Sequence, residues 1–173
     1  IYAEANKPTI AEIRSFWDKY PIYSKEIKSK QGTRKFFEEI AKLKENEVER
    51  YALHLYRFSE ASGKKVLDAG CGPGFLTKAY TSYGAKVTAI DLSPVAVRLT
   101  REFLRSANLK GKVQVANIEK LPFADENFDQ VVCHGVVHHT PDYQKAISEL
   151  ARVTKKGGRA VVAVYFLNFW LRP

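Results

Sequence analysis

A chain of 173 residues with 45% hydrophobic and 12% aromatic content can bury one sizeable core, which excludes a disordered or low-complexity protein. No apolar run approaches the eighteen or so residues that span a bilayer, and Ile1–Pro8 lacks the basic-then-apolar layout of a secretory signal. The net charge of +9 raises nucleic acid as a partner, but the cations (Lys64, Arg98, Arg105, Lys110, Lys155 among them) are scattered rather than gathered in a block.

The first third reads as helical. Thr9 followed by Glu12 has the spacing of a capping box, and Ile10, Ile13, Phe16 and Trp17 follow at helical intervals until Pro21. Gly32-Thr33 opens a second helical pattern. Phe36, Phe37, Ile40, Leu43, Val48, Tyr51, Leu55 and Phe58 recur through it as far as Ser62-Gly63, which predicts one continuous helix. From Lys64 the pattern changes to short β-rich runs at Lys65–Ala69, Lys86–Ile90, Lys112–Ala116, Gln130–Cys133 and Arg159–Phe166. Helical segments at Gly74–Tyr83, Pro94–Asn108 and Asp142–Thr154 alternate with them. Gly84, Gly111 and Gly157-Gly158 are placed as helix C-caps. Alternation of this kind predicts an α/β, Rossmann-like doubly wound sheet, mostly parallel, with its strand-to-helix turns along one ligand-binding edge.

The turn after the first strand reads Asp68-Ala69-Gly70-Cys71-Gly72-Pro73-Gly74-Phe75. Glycines there permit a tight turn and close approach of a ligand to backbone. A dinucleotide fingerprint, G-x-G-x-x-G, needs glycine or alanine at position 75, where this chain has Phe75. Asp68, at the strand's end, repels pyrophosphate but suits an ammonium group. Asp91 ends the second strand, where an acid accepts hydrogen bonds from both hydroxyls of a ribose. The pattern therefore points to an amino-acid-bearing nucleoside.

On VLDAGCGPGFLT (66–77), VTAIDLSPVAV (87–97), VQVANIEKLPF (113–123), FDQVVCHGVVHHTPD (128–142) and LARVTKKGGRAVVAV (150–164), the chain resembles the class I S-adenosylmethionine-dependent methyltransferases of the ubiquinone/menaquinone type. The resemblance implies strand order 3-2-1-4-5 and S-adenosyl-L-methionine as cofactor, with S-adenosyl-L-homocysteine as product and no metal. By the same resemblance Asp68, Gly70, Cys71, Gly72 and Gly74 would hold the methionyl part. Asp91 would hold the ribose and Leu92 would flank the adenine. Asn117 and Ile118 would meet the adenine with Glu119 beside them, and His134 and Gly135 would line the methionyl and acceptor side.

His138-His139, just past the fourth strand, are candidate general bases, because histidine titrates near neutrality. Tyr20 and Tyr23 are candidate lid or substrate residues, since an aromatic face attracts a sulfonium. Phe16 and Trp17 are assigned to packing. Cys71 and Cys133 show no metal-ligand spacing and read as free thiols of a soluble, cytoplasmic protein. The expected organisation is an N-terminal helical lid over residues 1–62 and a cofactor-binding core over 63–173. A seven-stranded core would continue beyond the fifth strand, so a final hairpin is expected to be missing. An exposed fifth-strand edge, Val161 to Phe166, would then invite self-association. The expected activity is methyl transfer to a small-molecule acceptor, a lipid-like one among the candidates. RNA methylation and non-catalytic cofactor binding are the alternatives. His134-Gly135-Val136-Val137 lacks the Asn/Asp-Pro-Pro-Tyr/Phe tetrapeptide of many amino-nitrogen methyltransferases.

Overall fold

The structure is a computed structural model that describes residues 7–23, 26–46 and 53–164. Five strands form one sheet: β1 (Lys65–Ala69), β2 (Lys86–Asp91), β3 (Lys112–Val115), β4 (Phe128–His134) and β5 (Thr154–Ala163). Their order is β3-β2-β1-β4-β5 and every pairing is parallel, so the order implied by the resemblance holds and β1 is central. Central strands of a parallel sheet are covered on both faces and read as continuous apolar runs. β1 and β4 do so, with Val66, Leu67, Val131 and Val132 all buried.

Helices α3 (Phe75–Ser82) and α4 (Pro94–Ser106) cover one face. Leu76 and Tyr80 of α3 pack on Val66, Val87 and Val132, while Val97 and Leu104 of α4 pack on Ala89 and Val113. Helix α5 (Tyr143–Val153) covers the other, placing Ala146 and Leu150 against Leu67, Ile90 and Val131. The β3–β4 crossover, residues 116–127, contains no helix. Its Ile118 and Leu121 fill that second face instead, and the Arg152 guanidinium donates to the carbonyls of Leu121 and Phe123 to hold it down.

Among the described residues, two α-helices precede the sheet. α1 (Ile10–Lys19) begins with the expected capping box: Glu12 N–H donates to Thr9 Oγ1 at 3.2 Å, and Thr9 N–H to Glu12 Oε2 at 2.7 Å. α2 (Arg34–Asn46) is opened by Thr33, whose Oγ1 accepts from Phe36 N–H, and it packs on α4 with the Phe37 and Phe103 rings stacked at 4.4 Å. The single long helix expected here is not what forms. Residues 47–52 lie outside the described residues, and Leu53–Tyr56 and Phe58–Ala61 are short 3-10 turns separated by Arg57 in the left-handed region, φ 46°. The cause is tertiary. The Tyr56 carbonyl is turned inward to accept from Tyr80 O–H at 2.7 Å and from Gln130 Nε2 at 2.9 Å, which takes it out of any helical ladder.

Two of the three expected glycine caps also need correcting. Gly84 stands just past α3 with φ 83°, as expected. After α4, Asn108 (φ 59°) takes the left-handed position instead of Gly111, a role asparagine tolerates. α5 ends at Val153, and Gly157-Gly158 lie inside β5 at a register shift, between the Phe128↔Thr154 and Gln130↔Arg159 pairs. The fifth strand accordingly starts at Thr154, earlier than its apolar run. Val162 on this outer strand and Val164 just past it are exposed, and Tyr165 and Phe166 lie outside the described residues.

Candidate active site

The C-terminal ends of β1 to β4 open into one cleft, about 890 Å³ with its open mouth included. Its floor begins at the turn after β1. Gly70 and Cys71 donate their N–H groups to the Ile90 carbonyl at 2.8 and 2.9 Å, which folds the turn over the end of β2. Gly70 has φ 85°, and a Cβ there would stand 2.2 Å from Val136 Cγ2, so only glycine fits. Asp91 lies beside this turn. Gly72 N–H donates to its Oδ2 and Ser93 N–H to its Oδ1, each at 2.9 Å, and these bonds fix the carboxylate at the cleft wall. Burial pushes its pKa above the usual carboxylate range, with those backbone N–H groups opposing the shift.

Of the residues predicted from sequence, Gly70, Gly72, Asp91, Leu92, Asn117, Ile118, His134, Gly135 and His139 line the cleft together. Asp68, Cys71, Gly74, Glu119, His138, Tyr20 and Tyr23 do not. Asp68 is buried one layer behind the turn, where Thr77 O–H donates to its Oδ2, and burial raises its pKa to about 7. Cys71 and Cys133 are buried free thiols, and burial pushes the Cys133 pKa up to about 12. Gly74 caps α3 against Thr100. Glu119 turns away from the cleft to accept the Asp142 N–H at 2.9 Å. Among the described residues no group of His, Cys, Asp and Glu could hold a metal ion.

The opposite wall comes from the N-terminal segment: Ile10, Ile13 and Trp17 of α1, then Pro21 and Ile22. Sequence reasoning put Tyr20 and Tyr23 over the ligand and Trp17 in packing, and the structure exchanges them. Tyr20 is exposed and rests against Phe16, while Tyr23 joins the cluster of Phe36, Phe37 and Leu99. Trp17 meets the edge of His139 at 5.3 Å across the cleft. The signal was present in the stripe Ile10-Ile13-Trp17, which is one helical face, but the stripe did not say which surface it would meet. α1 is tied to the floor by Ser93 O–H, which donates to Asp18 Oδ1 at 2.6 Å.

Both cleft histidines are held neutral. Burial lowers the pKa of His134 and of His139 to about 4, and it lowers that of His138 as well. Tyr56 O–H and His134 Nδ1 are hydrogen-bond partners. No lysine or arginine lines the cleft among the described residues.

The sequence family described as "Methyltransferase domain" matches residues 67–162, more than half of the chain. The chain belongs to this family. Its methyltransferase domain is similar to the ubiquinone biosynthesis O-methyltransferases of Coxiella burnetii, 34% identical over 107 residues, and of Xanthomonas oryzae pv. oryzae, 36% identical over 101. Those matches cover 62% and 58% of this chain but 46% and 42% of the relatives, so the chain spans under half their length. Among solved structures, the YcgJ protein of Bacillus subtilis aligns with TM-score 0.61 and 30% identity, over 65% of this chain and half of that one. The [4+2]-cyclase SpnF aligns over 90% of this chain and 60% of its own, with TM-score 0.65 at 20% identity, which speaks for the fold alone.

The methyltransferase domain family implies an S-adenosylmethionine cofactor, and the residues fit one. A carboxylate, Asp91, faces the cleft where a ribose would lie, glycine backbone borders it, and Leu92 and Ile118 offer apolar surface for a purine.

Proposed function

We propose that the protein transfers a methyl group from S-adenosylmethionine to an oxygen of a small, apolar, ring-bearing acceptor. The supporting observation is a single cleft with a backbone-held carboxylate on one wall and Ile10, Ile13 and Trp17 on the other. Asp91 would accept from both ribose hydroxyls, using lone pairs that its two backbone N–H partners leave available. Asn117 Oδ1 already accepts Glu119 N–H, so its amide nitrogen is the group left to donate to a purine ring nitrogen. Asp68 would act from behind the turn as the negative end of the field felt by an amino-acid ammonium. The lid, within residues 1–62, would exclude water and align the acceptor, which is what a displacement at an electrophilic methyl asks of the protein.

His139, which lines the cleft beside Trp17, would be the histidine that meets the acceptor. As a neutral imidazole with a pKa near 4 it orients a hydroxyl by accepting its hydrogen bond, and the burial that depresses its pKa opposes full proton transfer. A phenol or catechol suits this, since its own ionisation near pH 10 carries more of the load. The relatives' names, ubiquinone biosynthesis O-methyltransferase, support the same acceptor chemistry. The absence of lysine and arginine from the described cleft lining argues against an RNA strand there. Exposed Val162 on β5 and Val164 just past it support self-association along that strand, which light scattering would register as a concentration-dependent rise in mass.

Calorimetry tests the cofactor. S-adenosylhomocysteine is expected to bind and reduced nicotinamide dinucleotide is not. Transfer of labelled methyl to 4-methylcatechol, with a structured RNA as the competing acceptor, tests the class. Labelling of RNA but not of the catechol would overturn it.

A further inference from the structure

Glu119 was expected beside the adenine, and the fold uses it otherwise. After β3 the chain makes a tight turn, in which Glu119 N–H donates to Asn117 Oδ1 at 2.9 Å and Lys120 N–H to the Asn117 carbonyl at 3.0 Å. That turn leaves Asn117 and Ile118 on the cleft and sends the Glu119 side chain beneath it. There the carboxylate, 8% exposed, accepts the backbone N–H of Asp142 at 2.9 Å. Asp142 is the N-cap of α5, so the anion also lies at the positive end of an eleven-residue helix. The residues just before Asp142 (His139, Thr140 and Pro141) line the same cleft. A second link runs parallel, because Ile118 and Val137 belong to one buried apolar cluster.

We infer that Glu119 couples the two ends of the cleft: occupation of the purine end, through Asn117 and Ile118, sets the position of the His139 turn at the acceptor end. Glu119 is thus a positioning residue and touches neither ligand. The coupling rests on the cofactor reading above. Its physical basis is that one short turn, residues 117–119, presents a ligand-facing side and a strut to the start of α5, next to the His139 turn. A ligand that orders the first must stiffen the second. A carboxylate serving only as a helix cap would support α5 equally with the cleft empty or filled.

Amide hydrogen exchange with S-adenosylhomocysteine as probe separates these roles. In the wild type the ligand is expected to slow exchange both at 117–121 and at 137–140, the latter by about fivefold or more, the low end of measured site-to-site coupling. In Glu119→Ala the protection at 117–121 is expected to remain while that at 137–140 falls to the smaller part carried through Ile118 and Val137. Glu119→Gln, whose amide oxygen still accepts the Asp142 N–H, is expected to restore it. Should the alanine variant fail to fold, Glu119→Asp, one methylene too short to span the gap, replaces it. Equal protection of 137–140 in wild type and Glu119→Ala overturns the coupling, as does a wild type protected at 117–121 only. Binding with either result leaves the cofactor reading standing. A wild type that binds no S-adenosylhomocysteine in calorimetry overturns the cofactor reading and this inference with it.

Discussion

The two walls of the cleft are built by different means. The floor, from Asp68 to Val136, is set by backbone: parallel ladders, two N–H groups on the Ile90 carbonyl, and two more on the Asp91 carboxylate. The facing wall is set by side chains on α1, a helix with no buried residue of its own, whose named ties to the body are Asp18 to Ser93 and Trp17 to His139. A ladder of main-chain bonds within a packed sheet opens only with global unfolding, whereas a helix held by a few contacts opens locally at low cost. On the proposed function, the first wall would hold the cofactor in fixed geometry while the second would admit and release ligands.

If that contrast is right, damage to the floor should be severe and damage to the facing wall selective. Gly70→Ala is expected to be the most damaging change. It places a Cβ at φ 85° and 2.2 Å from Val136, so the turn must move. S-adenosylhomocysteine binding should fall beyond detection in calorimetry, with a loss of stability on the order of 1–3 kcal/mol in urea melts. Wild-type binding by this variant would show that the floor is softer than its hydrogen bonds imply.

Asp91→Ala comes next. It is expected to weaken S-adenosylhomocysteine by one to two orders of magnitude, about 1.5–3 kcal/mol, by calorimetry, with the fold retained on circular dichroism. Trp17→Ala probes the other wall. The KM for the catechol acceptor should rise about tenfold while cofactor affinity changes by less than about threefold, because the loss falls on one wall. Equal losses in both would mean that α1 and the floor act as one unit.

The smallest expected effect is a pH slope. Asp68 titrates at about 7 in the folded protein, well above the ordinary aspartate value of 3.8. The unfolded chain releases this proton first, so Asp68 lowers stability progressively as pH rises from about 4 to 7. His134 and His139, depressed to about 4, work in the opposite sense: below their ordinary 6.5 the unfolded chain gains protons first, and stability falls as pH falls. The difference in unfolding free energy between wild type and Asp68→Asn, measured across that range, isolates the Asp68 slope. A flat difference curve would place the Asp68 carboxyl in a more polar setting than its burial indicates.

Much of the floor was legible without the structure. The strands announce themselves as apolar runs, the turn as glycines that only a close approach requires, and Asp91 by its place at the end of β2. Such local features follow from the backbone, which every sequence of this pattern shares. The Thr9–Glu12 box likewise marked the start of α1, because capping is settled within four residues.

Placement across the chain was not legible in the same way. Trp17 and Tyr23 lie six residues apart with similar chemistry, and only packing against His139 or against the Phe36–Phe37 cluster tells cleft from core. The break at Arg57 answers to partners on α3 and β4, and Glu119 answers to an N–H on α5. A residue's local pattern determines what element it forms and which face it shares. What that face or side chain then touches is decided by partners far along the chain, 19 residues away for Asp91 on Gly72 and 78 for Tyr56 on His134, and those distances close only when the whole sheet is assembled.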